Sequence, residues 1–212
     1  MELSFESNFS RKGSIRSFLT EFSEGIFKKN RRFMENNNRE TFFSWQEKNI
    51  FPYITAVIDE ISPYMCGEWS FEKGGIKGQP KDSYRRPDLY CSYNDLGFLI
   101  ETKRYWSKEQ VRKLLEQIKS LELLRVSQMP ADRIVIAGIL HMAGYDAAKG
   151  AHGNYQRAYD KIIGDAIKMQ GGMRIQSLHI AAAHEAFKDA TDGFDKKVTW
   201  GAMFYFVSTK LV

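Results

Sequence analysis

The sequence predicts an α/β fold, with a central mixed sheet flanked by helices, on three observations. Residues 87–103 hold two strand-forming runs, 89–93 and 98–100, on either side of the turn formers Asn94-Asp95-Leu96-Gly97. Residues 107–124 open on Ser107-Lys108-Glu109-Gln110, a capping box, and then repeat Val111, Leu114, Leu115, Ile118, Leu121 and Leu124 at helical spacing. Residues 133–140, RIVIAGIL, run apolar without alternation, which marks a strand buried on both faces and paired in parallel.

In chain order, residues 1–12 read as a tail or a short edge segment. Ser14 is placed to cap a helix reaching about residue 35, on the stripe Ile15, Phe18, Leu19, Phe22, Ile26 and Phe33. The Lys28, Lys29, Arg31, Arg32 cluster near its end fits a solvated face or a set of phosphate contacts. A second helix is expected over 41–61, with Ile50, Phe51, Ile54, Val57, Ile58 and Ile61 inward. Pro52 inside it signals a kink or a late start. Glu47, three and four residues before Ile50 and Phe51, shares that inward face, where a carboxylate needs a partner. Residues 68–72 suit a first strand. Gly74, Gly75, Gly78 and Pro80 then form a loop rich in Lys77, Lys81, Arg85 and Arg86, which reads as a polyanion contact or as an ordinary hairpin loop.

After the helix at 107–124 and the strand at 133–140, a loop is expected over 143–153, a helix over 154–169, a strand over 174–182, and a strong strand over 198–207. Strand 98–103, the following helix and strand 134–140 make a crossover unit. The whole chain, 1–212, reads as one domain, with 1–40 a helical extension and 41–212 the core.

Composition narrows the function classes. The 212 residues are 43% hydrophobic and 14% aromatic, as in a folded soluble protein, and no apolar run approaches the roughly 20 residues of a membrane span. The N-terminus lacks a signal-peptide core, and two cysteines, Cys66 and Cys91, make no disulfide framework, so the chain reads as cytoplasmic without a membrane partner. Four scattered histidines and those cysteines lack zinc-ligand spacing, and no Ser–His–Asp order stands out. The net charge of +5 permits a polyanionic partner.

The chemistry concentrates in the central hairpin. With a four-residue loop, Tyr93 pairs with Phe98, Asp88 faces Lys103 and Tyr90 faces Glu101. Asp88, Glu101 and Lys103 then share one face, and the carboxylates are diagonal neighbours about 7–8 Å apart at Cα. Such carboxylates can converge on a divalent cation.

Pro87-Asp88 followed by Glu101-Thr102-Lys103 resembles the signature of the PD-(D/E)xK nuclease superfamily, and the helix–three strands–helix–strand order resembles the αβββαβ core of its restriction-endonuclease-like fold. The motif covers about a tenth of the chain. The resemblance implies a metal-dependent nuclease that hydrolyses phosphodiester bonds, a DNA endonuclease of restriction, defence, phage or repair type. Asp88, Glu101 and the backbone carbonyl of Thr102 would hold Mg²⁺ or Mn²⁺, and Lys103 would orient water. The helix acid that many members carry is best matched by Glu47, with Glu60 in reserve, and the glutamine of several branches is matched by Gln117. The tyrosine that follows it in some branches is Leu121 here. By analogy, such a chain cuts both strands as a homodimer. Two other readings stay open: an inactive nucleic-acid-binding member of the same fold, and an unrelated partner-binding α/β domain in which Glu101 and Lys103 are a surface ion pair.

Overall fold

The computed structural model describes residues 1–5, 13–67, 71–72, 84–85, 87–123, 131, 133–146, 150–175 and 177–211. Its centre is a seven-stranded mixed sheet in the order β1-β8-β9-β7-β6-β5-β2. The strands are β1 (Glu2–Phe5), β2 (Tyr64–Gly67), β5 (Leu89–Tyr93), β6 (Leu96–Arg104), β7 (Arg133–Tyr145), β8 (His179–Thr191) and β9 (Lys197–Leu211); β3 (Phe71–Glu72) and β4 (Tyr84–Arg85) pair separately. Four helices are described: α1 (Gly13–Asn36), α2 (Glu47–Ile61), α3 (Lys108–Glu122) and α4 (Tyr155–Met173). Strand β6 runs antiparallel to β5 and parallel to β7, and the other pairings within the large sheet are antiparallel.

The helices lie in two layers, set by residue alternation along the strands. Leu96, Phe98 and Ile100 of β6 meet Phe18, Phe22, Ile54 and Val57 of α1 and α2. Leu99 of β6 and Tyr90 of β5 belong to the opposite core with Leu114, Ile118, Ile162 and Ala166 of α3 and α4. Helix α3 starts as its sequence predicts: Ser107 Oγ accepts from the Glu109 N–H at 3.2 Å, and Gln110 Oε1 accepts from the Ser107 N–H at 3.0 Å.

Several expectations are corrected. The central hairpin turns on two residues, not four: Tyr93 pairs with Leu96, Cys91 with Phe98 and Leu89 with Ile100. Asn94 takes the left-handed conformation that so short a turn needs, at φ 53°. Gly97 lies in β6, where an added Cβ would come within 3.1 Å of the Tyr90 hydroxyl and 3.0 Å of Ile134 Cδ1. The shift from the expected register is two residues, an even number, so the faces of both strands are preserved.

Helix α2 starts at Glu47 behind a 3-10 turn at Phe42–Ser44, so Pro52 falls in its second turn and residues 41–46 are not α-helical. Residues 143–145, expected as loop, continue β7 opposite β9, where Gly144 pairs with Trp200. The strand expected over 174–182 begins at His179 and runs to Thr191. Residues 1–40 are no appendage: β1 extends the sheet alongside β8, and Phe18, Leu19, Phe22, Ile26 and Phe27 of α1 are fully buried. Buried Asn30 secures α1 to the next segment, its Oδ1 accepting from Thr41 Oγ1 at 2.8 Å and from the Phe42 N–H at 3.2 Å.

Candidate functional site

The predicted site residues gather where β6 leaves the sheet. Glu101 and Lys103 alternate onto the α3 face of β6, and Thr102 between them faces α2. Glu101 is 1% exposed, and Gln117 Nε2 of α3 donates to its Oε2 at 2.8 Å. The close approach of α3 depends on Gly138, the residue beside Glu101 on β7; a Cβ there would lie 2.8 Å from Leu114 Cγ and from Ile118 Cδ1. Gln117 Oε1 is buried and has no hydrogen-bond partner among the described residues.

Asp88 precedes β5, and its carboxylate reaches the end of β6. Its Oδ2 accepts from the Thr102 N–H at 2.7 Å and from Thr102 Oγ1 at 3.3 Å. It lines a groove with Glu47, Lys48, Phe51 and Thr102. Glu47 opens α2, and its Oε1 accepts from Lys103 Nζ at 2.9 Å, while the same ammonium donates to the Thr102 carbonyl at 2.7 Å. Burial raises the Glu47 pKa above the usual carboxylate range, and the charge of Asp88 adds to the rise; the hydrogen bond and charge of Lys103 oppose it.

The structure thus joins the predicted residues in pairs rather than in one cage. Asp88 engages the Thr102 backbone, Glu101 engages Gln117, and Lys103 bridges Glu47 to the Thr102 carbonyl. Among the described residues, no group of three or more His, Cys, Asp and Glu side chains gathers closely enough to hold a metal ion. The Lys103 ammonium occupies two of the expected cation ligands, Glu47 Oε1 and the Thr102 carbonyl. The donor chemistry still suits Mg²⁺ or Mn²⁺, because Asp88, Glu101, Glu47 and the Thr102 carbonyl are all hard oxygen ligands.

Glu60 is not at this site. Its Oε1 pairs with Lys29 Nζ at 2.6 Å on the exposed rim between α1 and α2. Arg31 pairs with Glu185 at 2.5 Å, so these two members of the basic cluster serve a charged surface. Arg85 lies in β4 opposite Phe71, whereas Lys77, Lys81 and Arg86 lie outside the described residues. Cys91 is a buried thiol whose pKa burial pushes up to about 12, in keeping with a packing role.

Sequence reasoning missed the surroundings. His141 of β7 is fully buried and its Nε2 donates to the Trp45 carbonyl at 3.3 Å, which holds the chain two residues before Glu47. Burial lowers the His141 pKa to about 4, so the ring is neutral near pH 7. A second groove beside Lys103 takes in Lys48, Arg104, Trp106 and Lys113. Its signal was the run Lys103-Arg104-Tyr105-Trp106, two cations and two aromatics where a strand ends. No helix among the described residues is long and apolar enough to cross a membrane. No protein-family model matches the chain, and neither does any curated protein or solved structure, so its own residues carry the functional argument.

Proposed function

We propose that this protein is a metal-dependent nuclease of the restriction-endonuclease-like fold, acting on DNA. The observation that carries the reading is that Asp88 is held by the backbone N–H of Thr102, the residue between Glu101 and Lys103, while Glu47 and Gln117 are brought to Lys103 and Glu101 by two different helices. The element order supports it: α2, β2, β5, β6, α3 and β7 follow as helix, three antiparallel strands, helix and a strand parallel to β6.

Asp88 and Glu101, with the Thr102 carbonyl and Glu47, are the residues that would hold Mg²⁺ or Mn²⁺. Such an ion, when bound, lowers the pKa of its water and offsets charge growing on phosphate oxygens. The protein's own groups do the rest. Lys103 presents a positive charge to an incoming phosphate and gives up Glu47 when it does so. Gln117 fixes the rotamer of Glu101, and the Thr102 N–H fixes that of Asp88. In the hydrolysis, water adds to phosphorus, one P–O ester bond breaks, and the departing oxygen gains a proton.

The test is cleavage of plasmid, single-stranded DNA and RNA with Mg²⁺, with Mn²⁺ and with EDTA. Cleavage is expected to need metal and to vanish in Asp88→Ala and Lys103→Ala proteins that keep the native circular dichroism. Full activity in both variants, or cleavage that survives EDTA, refutes the reading. A module that grips nucleic acid without cutting is the second reading. The observation favouring it is the Lys103 ammonium seated on Glu47 and the Thr102 carbonyl; binding without cleavage under every metal condition would select it.

A further inference from the structure

We propose that Trp106 is a stacking platform for an unpaired base, and that the strand entering this site is single-stranded DNA. The proposal rests on the nuclease reading for its choice of nucleic acid as ligand, and it adds the form of the substrate. Trp106 follows the end of β6 and is 55% exposed, in a protein whose other three tryptophans are more buried or lie outside the described residues. An indole that keeps more than half of its surface in water can be reached by a ligand.

Its orientation is fixed. The Arg104 guanidinium carbon lies 3.5 Å from the centre of the indole ring, a cation–π stack that covers one face. Arg104 is itself half-buried, with Tyr145 and Asp192 near enough to favour its charged form, so it is a firm backing. A ring held in this way loses little freedom when a second planar group stacks upon it.

The groove beside the ring matches a nucleic-acid backbone in charge. It has a volume of about 490 Å³ and brings Lys48, Lys103, Arg104 and Lys113 together with Gln110 against one carboxylate, Glu47. Four cations to one anion leave a net charge of +3 along the wall. The volume falls within the roughly 300–1,000 Å³ of ligand clefts. Lys103 belongs both to this groove and to the groove it shares with Gln117, so a strand lying on Trp106 runs directly into the Asp88–Glu101 end of the sheet. A basic track joined to an aromatic face is how single strands are held without regard to sequence, because every base offers a π-face and only an unpaired base can offer it. A base inside an intact duplex has both faces covered by its neighbours, so Trp106 selects against it.

The experiment measures binding in EDTA, where no turnover occurs, by fluorescence anisotropy of three labelled probes: an oligo-dT strand, an abasic strand of the same length, and a blunt duplex. Wild-type protein is expected to bind oligo-dT more tightly than either of the others. Trp106→Ala should weaken oligo-dT binding by about 5- to 150-fold, the range of a lost base–aromatic stack. Trp106→Phe should restore most of it, and neither variant should change binding of the abasic strand. Equal affinity of wild-type protein for oligo-dT and the abasic strand, or an unchanged affinity in Trp106→Ala, overturns the proposal. Cleavage of the same oligo-dT and duplex with Mg²⁺ is scored separately. A protein that binds through Trp106 but cuts neither probe keeps the platform and loses the nuclease reading. A protein that cuts duplex as well as single strands, with no effect of Trp106→Ala, keeps the nuclease reading and loses the platform.

Discussion

Substituting Gly138 with alanine would probe how the sheet brings Gln117 to Glu101. Gly138 sits beside Glu101 on the neighbouring strand and faces α3. Its backbone is outside the left-handed region, so alanine is conformationally acceptable there, and the cost is one of space. The new methyl would lie 2.8 Å from Ile118 Cδ1 and Leu114 Cγ and 3.1 Å from Leu114 Cδ1, whereas carbons rest at about 3.5–4.0 Å. The tip of Ile118 can turn aside. Leu114 Cγ is a branch point one bond from Cβ, so relief there requires a poor rotamer or a retreat of α3. Overpacking of this kind costs about 1–3 kcal/mol. Alanine returns about 0.4–1 kcal/mol by restricting the unfolded chain. The net expectation is a loss of about 1–2 kcal/mol, read as a lower urea midpoint with an unchanged slope. A retreat of α3 also draws Gln117 from Glu101, so DNA cleavage should fall with stability. The decisive assay is a double-mutant cycle with Leu114→Ala, which makes the missing space: in that background Gly138→Ala should be neutral or stabilising. An equal cost in both backgrounds, or Gly138→Ala as stable as wild type, would refute the steric argument.

Two further outcomes follow from the same geometry. The buried His141 ring is neutral in the folded protein, with a pKa of about 4 against 6.5 ordinarily, so the unfolded chain binds its proton first as the pH falls. Its contribution is present above pH 6.5 and is lost toward pH 4, by about 3 kcal/mol; His141→Gln should flatten the stability profile across that window, and an unaltered profile would exclude the ring as its cause. Mg²⁺ or Mn²⁺ at millimolar concentration should raise the wild-type melting temperature but not that of Asp88→Asn, as seen by scanning fluorimetry; an equal rise in both proteins would place the ion elsewhere.

Much of this architecture was legible because its signals are local. The α3 capping box, the stripes of α1 and α3, and the unbroken apolar run of β7 each depend on neighbours in sequence. The central hairpin was misjudged by two residues because Gly97 looked like a turn former, whereas its lack of a side chain makes room for Tyr90 and Ile134. Glu101 and Lys103, two apart on β6, share a side whatever the register. What the sequence did not disclose were the partners chosen within reach. That Lys103 would settle on Glu47 and the Thr102 carbonyl, or that Asp88 would take a backbone N–H, depends on competition between donors in three dimensions. The beginning of α2 was likewise misjudged, because the Phe42–Ser44 turn is fixed by a distant amide, Asn30.

That amide makes the front of the polypeptide indispensable. Asn30 grips Thr41 and Phe42, and five residues later Glu47 starts the helix that meets Lys103. A fragment beginning at residue 41 would forfeit this clasp and lay bare the apolar strand surface that Phe18, Phe22 and Phe27 cover. Helix α1 acts as a keel: the helix that carries Glu47 to Lys103 is anchored on it.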